Sequence, residues 1–220
     1  MVGYIVTALA AYLLGSIPTG YLLGRAKGLD IRTVGSGNIG ATNVFRFFGP
    51  AAGAGVLLAD ALKGWVSAAP LAKWVWTWMQ APAEALVWYH IIGGVAAILG
   101  HNYPCWLRFK GGKGIATSAG VMVALVPLAL LVALGVWLVV FGLGRFVSLG
   151  SIVAAAVLPF ATWLTVPTEN RLPLIVMTLV MAALAIFKHK TNIRRLLNGT
   201  ENRIGTRKSP AAAEPSKGTG

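Results

Sequence analysis

The stretch Ile115–Leu143, IATSAGVMVALVPLALLVALGVWLVVFGL, carries no charged side chain, and its reading decides the fold. Its 29 residues are long for one membrane span and short for two, with Pro127 near the middle. A spanning helix needs about 20 apolar residues, and an interior proline removes a backbone donor and breaks the helix. The flanks settle how often the stretch crosses. Arg108, Lys110 and Lys113 precede it and Arg145 follows it. Bases of this kind collect on the cytoplasmic side of a membrane. Two inside flanks require an even number of crossings, so the pattern predicts paired short helices turning at Pro127. At 1.5 Å per residue each half is about 20 Å long, against a hydrocarbon core of about 30 Å. Local thinning or burial in protein is therefore expected.

Further spans lie on either side of this stretch. They cover Tyr4–Leu23 with a kink at Pro18, Ala51–Leu71, Ala85–Tyr103, Leu149–Val166, and Leu172–Phe187 after a polar break at Thr168–Arg171. Trp74, Trp76 and Trp78 mark the exit of the second span, as indoles favour the headgroup level. A basic loop with Arg25, Lys27, Arg32 and Arg46 follows the first, and Lys188, Lys190, Arg194 and Arg195 open the tail. With that loop inside, the chain reads as an all-α integral membrane protein. It has seven transmembrane helices, N-terminus outside and C-terminus cytoplasmic. This places 16 of the 19 Lys and Arg on the cytoplasmic side, with Lys73 and Arg171 outside and Lys63 in a span. Residues 1–205 form a single transmembrane domain, and 206–220 read as a disordered cytoplasmic tail. The first segment, lacking a charged n-region and a cleavage site, is expected to remain as a helix.

Composition agrees with this class. The chain is 56% hydrophobic with mean hydropathy +0.72 and only 11% charged, against roughly a quarter charged in soluble domains. The net charge of +13 lies between apolar segments, where it serves orientation and anionic ligands, so no nucleic-acid partner is expected. Cys105 is the single cysteine, and no Cys/His cluster has zinc spacing. Six scattered acidic residues offer no carboxylate pair. Two-metal chemistry is set aside, and neither metal nor cofactor is expected.

Three motifs face the inside. The first is Gly35-Ser36-Gly37-Asn38-Ile39-Gly40-Ala41-Thr42-Asn43, followed by Arg46. It matches G-x-G-x-x-G, but a dinucleotide fingerprint needs a preceding strand, and here a membrane helix precedes. Its glycines bring backbone N–H groups close to an anion, and Ser36, Asn38, Thr42 and Asn43 add donors. The second is Gly100-His101-Asn102-Tyr103-Pro104, continuing to Phe109-Lys110-Gly111-Gly112-Lys113-Gly114. It ends where a helix begins, so free N–H groups and the helix dipole favour phosphate there, with Lys113 as counter-charge. The third is His189, Asn192, Arg194, Arg195, Gly199 and Glu201. Steps of three put His189, Asn192 and Arg195 on one helix face, which suits either a site or a basic helix gripping anionic lipid. Asp60 and Lys63 stand three apart inside a span, either neutralising each other or functional.

The ordered set of motifs resembles the bacterial acyl-phosphate:glycerol-3-phosphate acyltransferases of the PlsY type over nearly the whole chain. D-A-L-K-G at Asp60–Gly64 and H-K-T-N-I-R-R-L from His189 belong to the resemblance. It implies acyl transfer from acyl phosphate to the 1-hydroxyl of glycerol 3-phosphate, giving lysophosphatidic acid and phosphate, on the cytoplasmic face of a bacterial inner membrane. Both substrates carry phosphate, which matches two glycine–base loops. An activated acyl donor requires no covalent intermediate, and no Ser-His-Asp set or H-x-x-x-x-D motif is present. Ser36, Arg46 and Lys113 are expected to fix phosphate. Either the departing phosphate, His101 or His189 takes the hydroxyl proton. Gly35, Gly37, Asn38, Gly40, Thr42, Asn43, Lys63, Lys110, Gly111, Gly112, Gly114, Asn192 and Glu201 are expected around the substrates. The alternative is a transporter for phosphorylated anions, which calls for a polar path and internal repeats.

Overall fold

Small residues set the helix spacing. In α1 (Val2–Gly15), Gly3, Thr7, Ala11 and Gly15 recur every fourth position as one buried stripe, against α5 (Leu86–Asn102). A Cβ on Gly15 would stand 2.2 Å from the Ala97 carbonyl oxygen, and one on Gly100 2.2 Å from that of Tyr12. Backbones this close need small residues at the crossing. The computed structural model describes residues 1–205, and the tail expected from 206 lies outside the described residues.

Pro18 breaks the first segment rather than kinking it: α1 stops at Gly15 and α2 (Thr19–Ala26) starts anew. The second span is longer than its hydropathy suggests. α3 (Ala41–Val66) bends at Gly49, where φ is 83°, continues through a π-helical turn at Ser67–Leu71 around Pro70, and runs on as α4 (Ala72–Trp78). The tryptophans expected at its exit are thus part of the helix. Widened turns leave carbonyls poorly paired, and His90 Nδ1 lies 2.6 Å from the Ala68 oxygen.

The stretch around Pro127 divides as α6 (Ile115–Leu125) and α7 (Pro127–Gly144), hinged at Val126. The halves are unequal, about 16 Å and 27 Å long, not two helices of similar length. They meet mainly at their joint, because α6 lies against α3 and α7 against α8 (Val147–Thr165). The next break falls at Val166–Pro167, so Thr168–Arg171, expected as the connection, forms the first turn of α9 (Thr168–Lys188). α10 (Lys190–Leu197) follows directly. Among the described residues six helical segments are long and apolar enough to cross a membrane, and α6 is a shorter apolar helix.

Contacts fix the helix directions. Gly3 meets Tyr89 at the start of α5 while Gly15 meets Ala97 near its end, so α1 and α5 are parallel. The start of α3, the end of α5, the start of α6, the start of α8 and His189 after α9 all border one cavity. The chain leaves that cavity in α6 and is back at Val147, so α6 and α7 together go out and return. Beyond the cavity the bundle is filled by Ile98, Val121, Met122, Leu158, Met177 and Met181.

Close approach makes particular glycines irreplaceable. A Cβ on Gly120 would lie 1.8 Å from the Ala61 carbonyl, whereas Gly135 has nothing within 4 Å. Gly120→Val is expected to cost about 1–3 kcal/mol and several degrees of melting temperature in detergent. Gly135→Ala leaves the midpoint unchanged or higher. Equal losses at both positions contradict this packing.

Candidate active site

The loop before α3 is shaped by one buried side chain. Asn43 Oδ1 accepts from Ser36 N at 3.0 Å, and its Nδ2 donates to the Ile31 and Val34 carbonyls at 3.0 and 3.1 Å. Gly35 and Gly37, with φ of 60° and 68°, take the left-handed turns this staple demands. A Cβ at Gly35 would come within 2.5 Å of Asn43 Oδ1. Asn38 Oδ1 accepts from Gly40 N at 2.8 Å and so leads the chain into α3. Ser36, Asn38, Gly40, Thr42 and Arg46 then face the cavity. The first turn of α3 adds its unpaired N–H groups.

The second loop folds back on the end of α5. Gly111 N donates to Asn102 O at 3.2 Å and Gly112 N to His101 O at 3.0 Å. Gly114, with φ of 79°, turns the chain into α6. Lys113 and Gly114 enter the cavity. Burial, reinforced by Arg195, Arg46 and Lys188 and opposed by Glu201, pushes Lys113 down to about 8.

The third wall comes from the C-terminal segment. His189 caps α10, and its Nδ1 lies 2.7 Å from the Ala185 carbonyl. A carbonyl only accepts, so Nδ1 carries the proton and Nε2 is left as an acceptor. Burial, then the neighbouring Lys113 ammonium, lowers His189 to about 4, so it is neutral at pH 7. Gly199 turns the chain and brings Glu201 back toward α10. Glu201 Oε1 accepts from Ser148 Oγ at 2.8 Å and Asn192 Nδ2 at 2.7 Å, and Oε2 from Arg195 Nε at 2.8 Å. Burial alone would raise its carboxyl; these donors hold it below the usual range. Because the Asn192 amide donates to Glu201, its Oδ1 turns to accept from Lys113 Nζ.

The floor is the intramembrane pair. Lys63 Nζ stands 2.8 Å from Asp60 Oδ1 and donates to the Ile17 carbonyl at 2.8 Å, at the break between α1 and α2. Thr19 Oγ1 donates to the same carboxylate oxygen, and His101 Nδ1 lies 3.6 Å from it.

The three motifs therefore share one cavity of about 100 Å³. Ser36, Asn38, Gly40, Thr42, Arg46, His101, Lys113, Gly114, His189, Asn192 and Glu201 border it. Gly35, Gly37, Asn43, Lys63, Gly111 and Gly112 stand behind it as support, and Lys110 is exposed on the far side of the loop. Ser148 and Asp60 join the lining. Ser148 carried no sequence signal, because only the corner between α7 and α8 brings it to Glu201. Among the described residues no three His, Cys, Asp or Glu converge as metal ligands.

The low Lys113 value has a pH consequence for an anion in the cavity. Inorganic phosphate bound by the purified protein is expected to dissociate about tenfold more easily per pH unit above about 8, as Lys113 loses its proton. Lys113→Arg, which stays charged, moves that limb beyond the alkaline range. Calorimetric affinities flat from pH 7 to 9.5 contradict the assignment.

Residues 5–199 match the family model described as glycerol-3-phosphate acyltransferase. A glycerol-3-phosphate acyltransferase of Geotalea daltonii is 48% identical over 202 residues, covering 92% of this chain and 98% of the relative. Another, of Geobacter sulfurreducens, is 48% identical over 205 residues, covering 93% and 99%. The crystal structure of PlsY (YgiH), an integral membrane glycerol 3-phosphate acyltransferase, in its glycerol 3-phosphate form superposes with a TM-score of 0.81 at 39% identity. It covers 92% of this chain and 96% of that one. The lysophosphatidic acid form gives 0.78 with the same coverage. Sequence and fold both agree along almost the whole length, and the chain belongs to the glycerol-3-phosphate acyltransferase family.

Proposed function

We propose that the cavity transfers a fatty acyl group from an acyl phosphate to the 1-hydroxyl of glycerol 3-phosphate, releasing lysophosphatidic acid and inorganic phosphate. The observation that carries this reading is charge. Arg46, Lys113 and Arg195 converge at one helix-lined end with Glu201 as their counter-charge, and that carboxylate is already occupied by Ser148, Asn192 and Arg195. A cluster of this sign in a low-dielectric site favours an anion.

The size of the cavity separates head from tail. About 100 Å³ holds a few waters' worth of small polar ligand and no fatty chain. The acyl chain must leave between helices into lipid, past apolar lining such as Ala41, Ile115, Ala116 and Val147. Ser36, Arg46, Lys113 and the N–H groups opening α3 and α6 fix the phosphates. The hydroxyl oxygen attacks the acyl carbon, a C–O bond forms, and the acyl–phosphate C–O bond breaks with its electrons going to the phosphate. That phosphate takes the hydroxyl proton. His189 Nε2, neutral and accepting, receives the neighbouring 2-hydroxyl of the acceptor and so aims the 1-hydroxyl, leaving its proton to the phosphate. Positioning and electrostatic stabilisation supply most of the rate.

The topology reading is seven crossings with the N-terminus outside and the cavity cytoplasmic, in a bacterial inner membrane. It is supported by the return of α6–α7 to the cavity and by the bases gathered at that end. α6, at 11 residues, then crosses where the bilayer is thin or protein surrounds it.

Purified protein in detergent, given palmitoyl phosphate and labelled glycerol 3-phosphate, is expected to form lysophosphatidate, and palmitoyl-CoA is expected not to replace the donor. Activity with the thioester alone overturns the donor assignment. No product from either donor overturns acyl transfer and leaves anion transport as the function. In the same assay His189→Gln should lower kcat by less than about a hundredfold, since general-base catalysis contributes about 10²–10⁴. A larger loss, with one limb of the pH profile removed, makes His189 the base.

A further inference from the structure

The geometry points to a positioning role for His101: its ring is the platform on which the Gly111–Gly114 phosphate loop is folded, packed between that loop and the Asp60–Lys63 pair. The inference rests on the function proposed above and assigns His101 a task other than proton transfer.

Contacts on both edges of the ring carry it. On one edge, a Cβ built on Gly112 would fall 2.0 Å from His101 Nε2 and 2.9 Å from both Cδ2 and Cε1. Gly112 therefore lies flat against that nitrogen, with no room for a side chain. A nitrogen covered in this way is poorly placed to receive a substrate proton, in contrast to His189 Nε2. On the other edge, Nδ1 faces Asp60 Oδ1 at 3.6 Å and has no hydrogen-bond partner among the described residues. Asp60 is fixed in turn by Thr19 and Lys63, and Lys63 also closes on the Ile17 carbonyl. The ring is thus held between the helix break at Ser16–Pro18, α3 and the loop.

The main chain beneath the loop repeats the arrangement. His101 O and Asn102 O receive Gly112 N and Gly111 N, and Asn102 O also receives Lys188 Nζ at 3.0 Å. Gly114 packs on Asn102 Oδ1, where a Cβ would come within 2.6 Å. Asp60, Lys63, His101 and Asn102 are each at most 5% exposed. Burying so many polar groups is costly, and what they accomplish here is to set the path of the loop that carries Lys113.

A loop displaced by an ångström loses on the order of a hundredfold in productive binding. His101→Ala removes the platform. It is expected to raise KM for glycerol 3-phosphate by roughly tenfold or more, to change kcat less, and to reduce the melting-temperature increase given by inorganic phosphate. His101→Phe restores a flat ring that carries no proton, and is expected to recover most of the KM loss and of the phosphate-dependent shift. Gly112→Ala drives a methyl into the ring and raises KM, and in Gly112→Ala/His101→Ala the two losses combine to less than their product. His101→Phe that folds with a thousandfold loss of kcat and unchanged KM overturns the proposal. So does a double variant whose losses multiply. The phosphate-dependent melting shift requires no turnover, so it tests the platform even where the acyl-transfer assay is negative.

Discussion

Positive charge held in a poorly solvated place is the constraint on which the rest depends. Arg46, Lys113 and Arg195 come from three different segments and repel one another where water screens them weakly. Glu201 makes the arrangement tolerable. It binds Arg195 directly, fixes Asn192 so that its oxygen meets Lys113, and ties α10 to Ser148 at the start of α8. The strap continues to Ile204, whose N–H reaches the Arg145 carbonyl at 3.0 Å. One carboxylate thus joins the last helix to the corner between α7 and α8, and the cations it leaves uncompensated call for a phosphate.

The bundle serves that cluster through close helix approach. Gly15 on Ala97, Gly64 on Thr117, Gly93 on Ser67 and Gly120 on Ala61 are crossings where backbone meets backbone. Small residues let helices of modest length deliver their ends to a common point. α6 illustrates the consequence. It is short, begins directly after the Gly111–Gly114 loop, and packs along α3 through two of those crossings. A longer first half would move Lys113 or the hinge at Val126.

Much of this was legible in the sequence, because membrane spans and glycine–base motifs leave strong local signals. The break at Pro127 and the meeting of Ser36, Arg46, Lys113, His189 and Asn192 at one cavity follow from hydropathy, charge and spacing. Other features depend on contacts between distant segments, and local pattern carries no record of them. The helix continues past Leu71, where the span was expected to end, to Trp78 because a π turn absorbs Pro70. Ser148 belongs to no motif and reaches Glu201 only through the corner between α7 and α8. The two histidines looked equivalent; covering of His101 by Gly112 and pairing of His189 with Ala185 separate them.

The central claim is that one cavity, walled by all three motifs, receives the phosphate of the acceptor. The most direct measurement is the structure of the purified protein determined with glycerol 3-phosphate bound. The expected result is a single phosphate within hydrogen-bonding distance of Ser36, Arg46 or Lys113, with the glycerol directed toward His189. A phosphate found instead on the Lys110 side of the loop, with the cavity unchanged, would contradict the account.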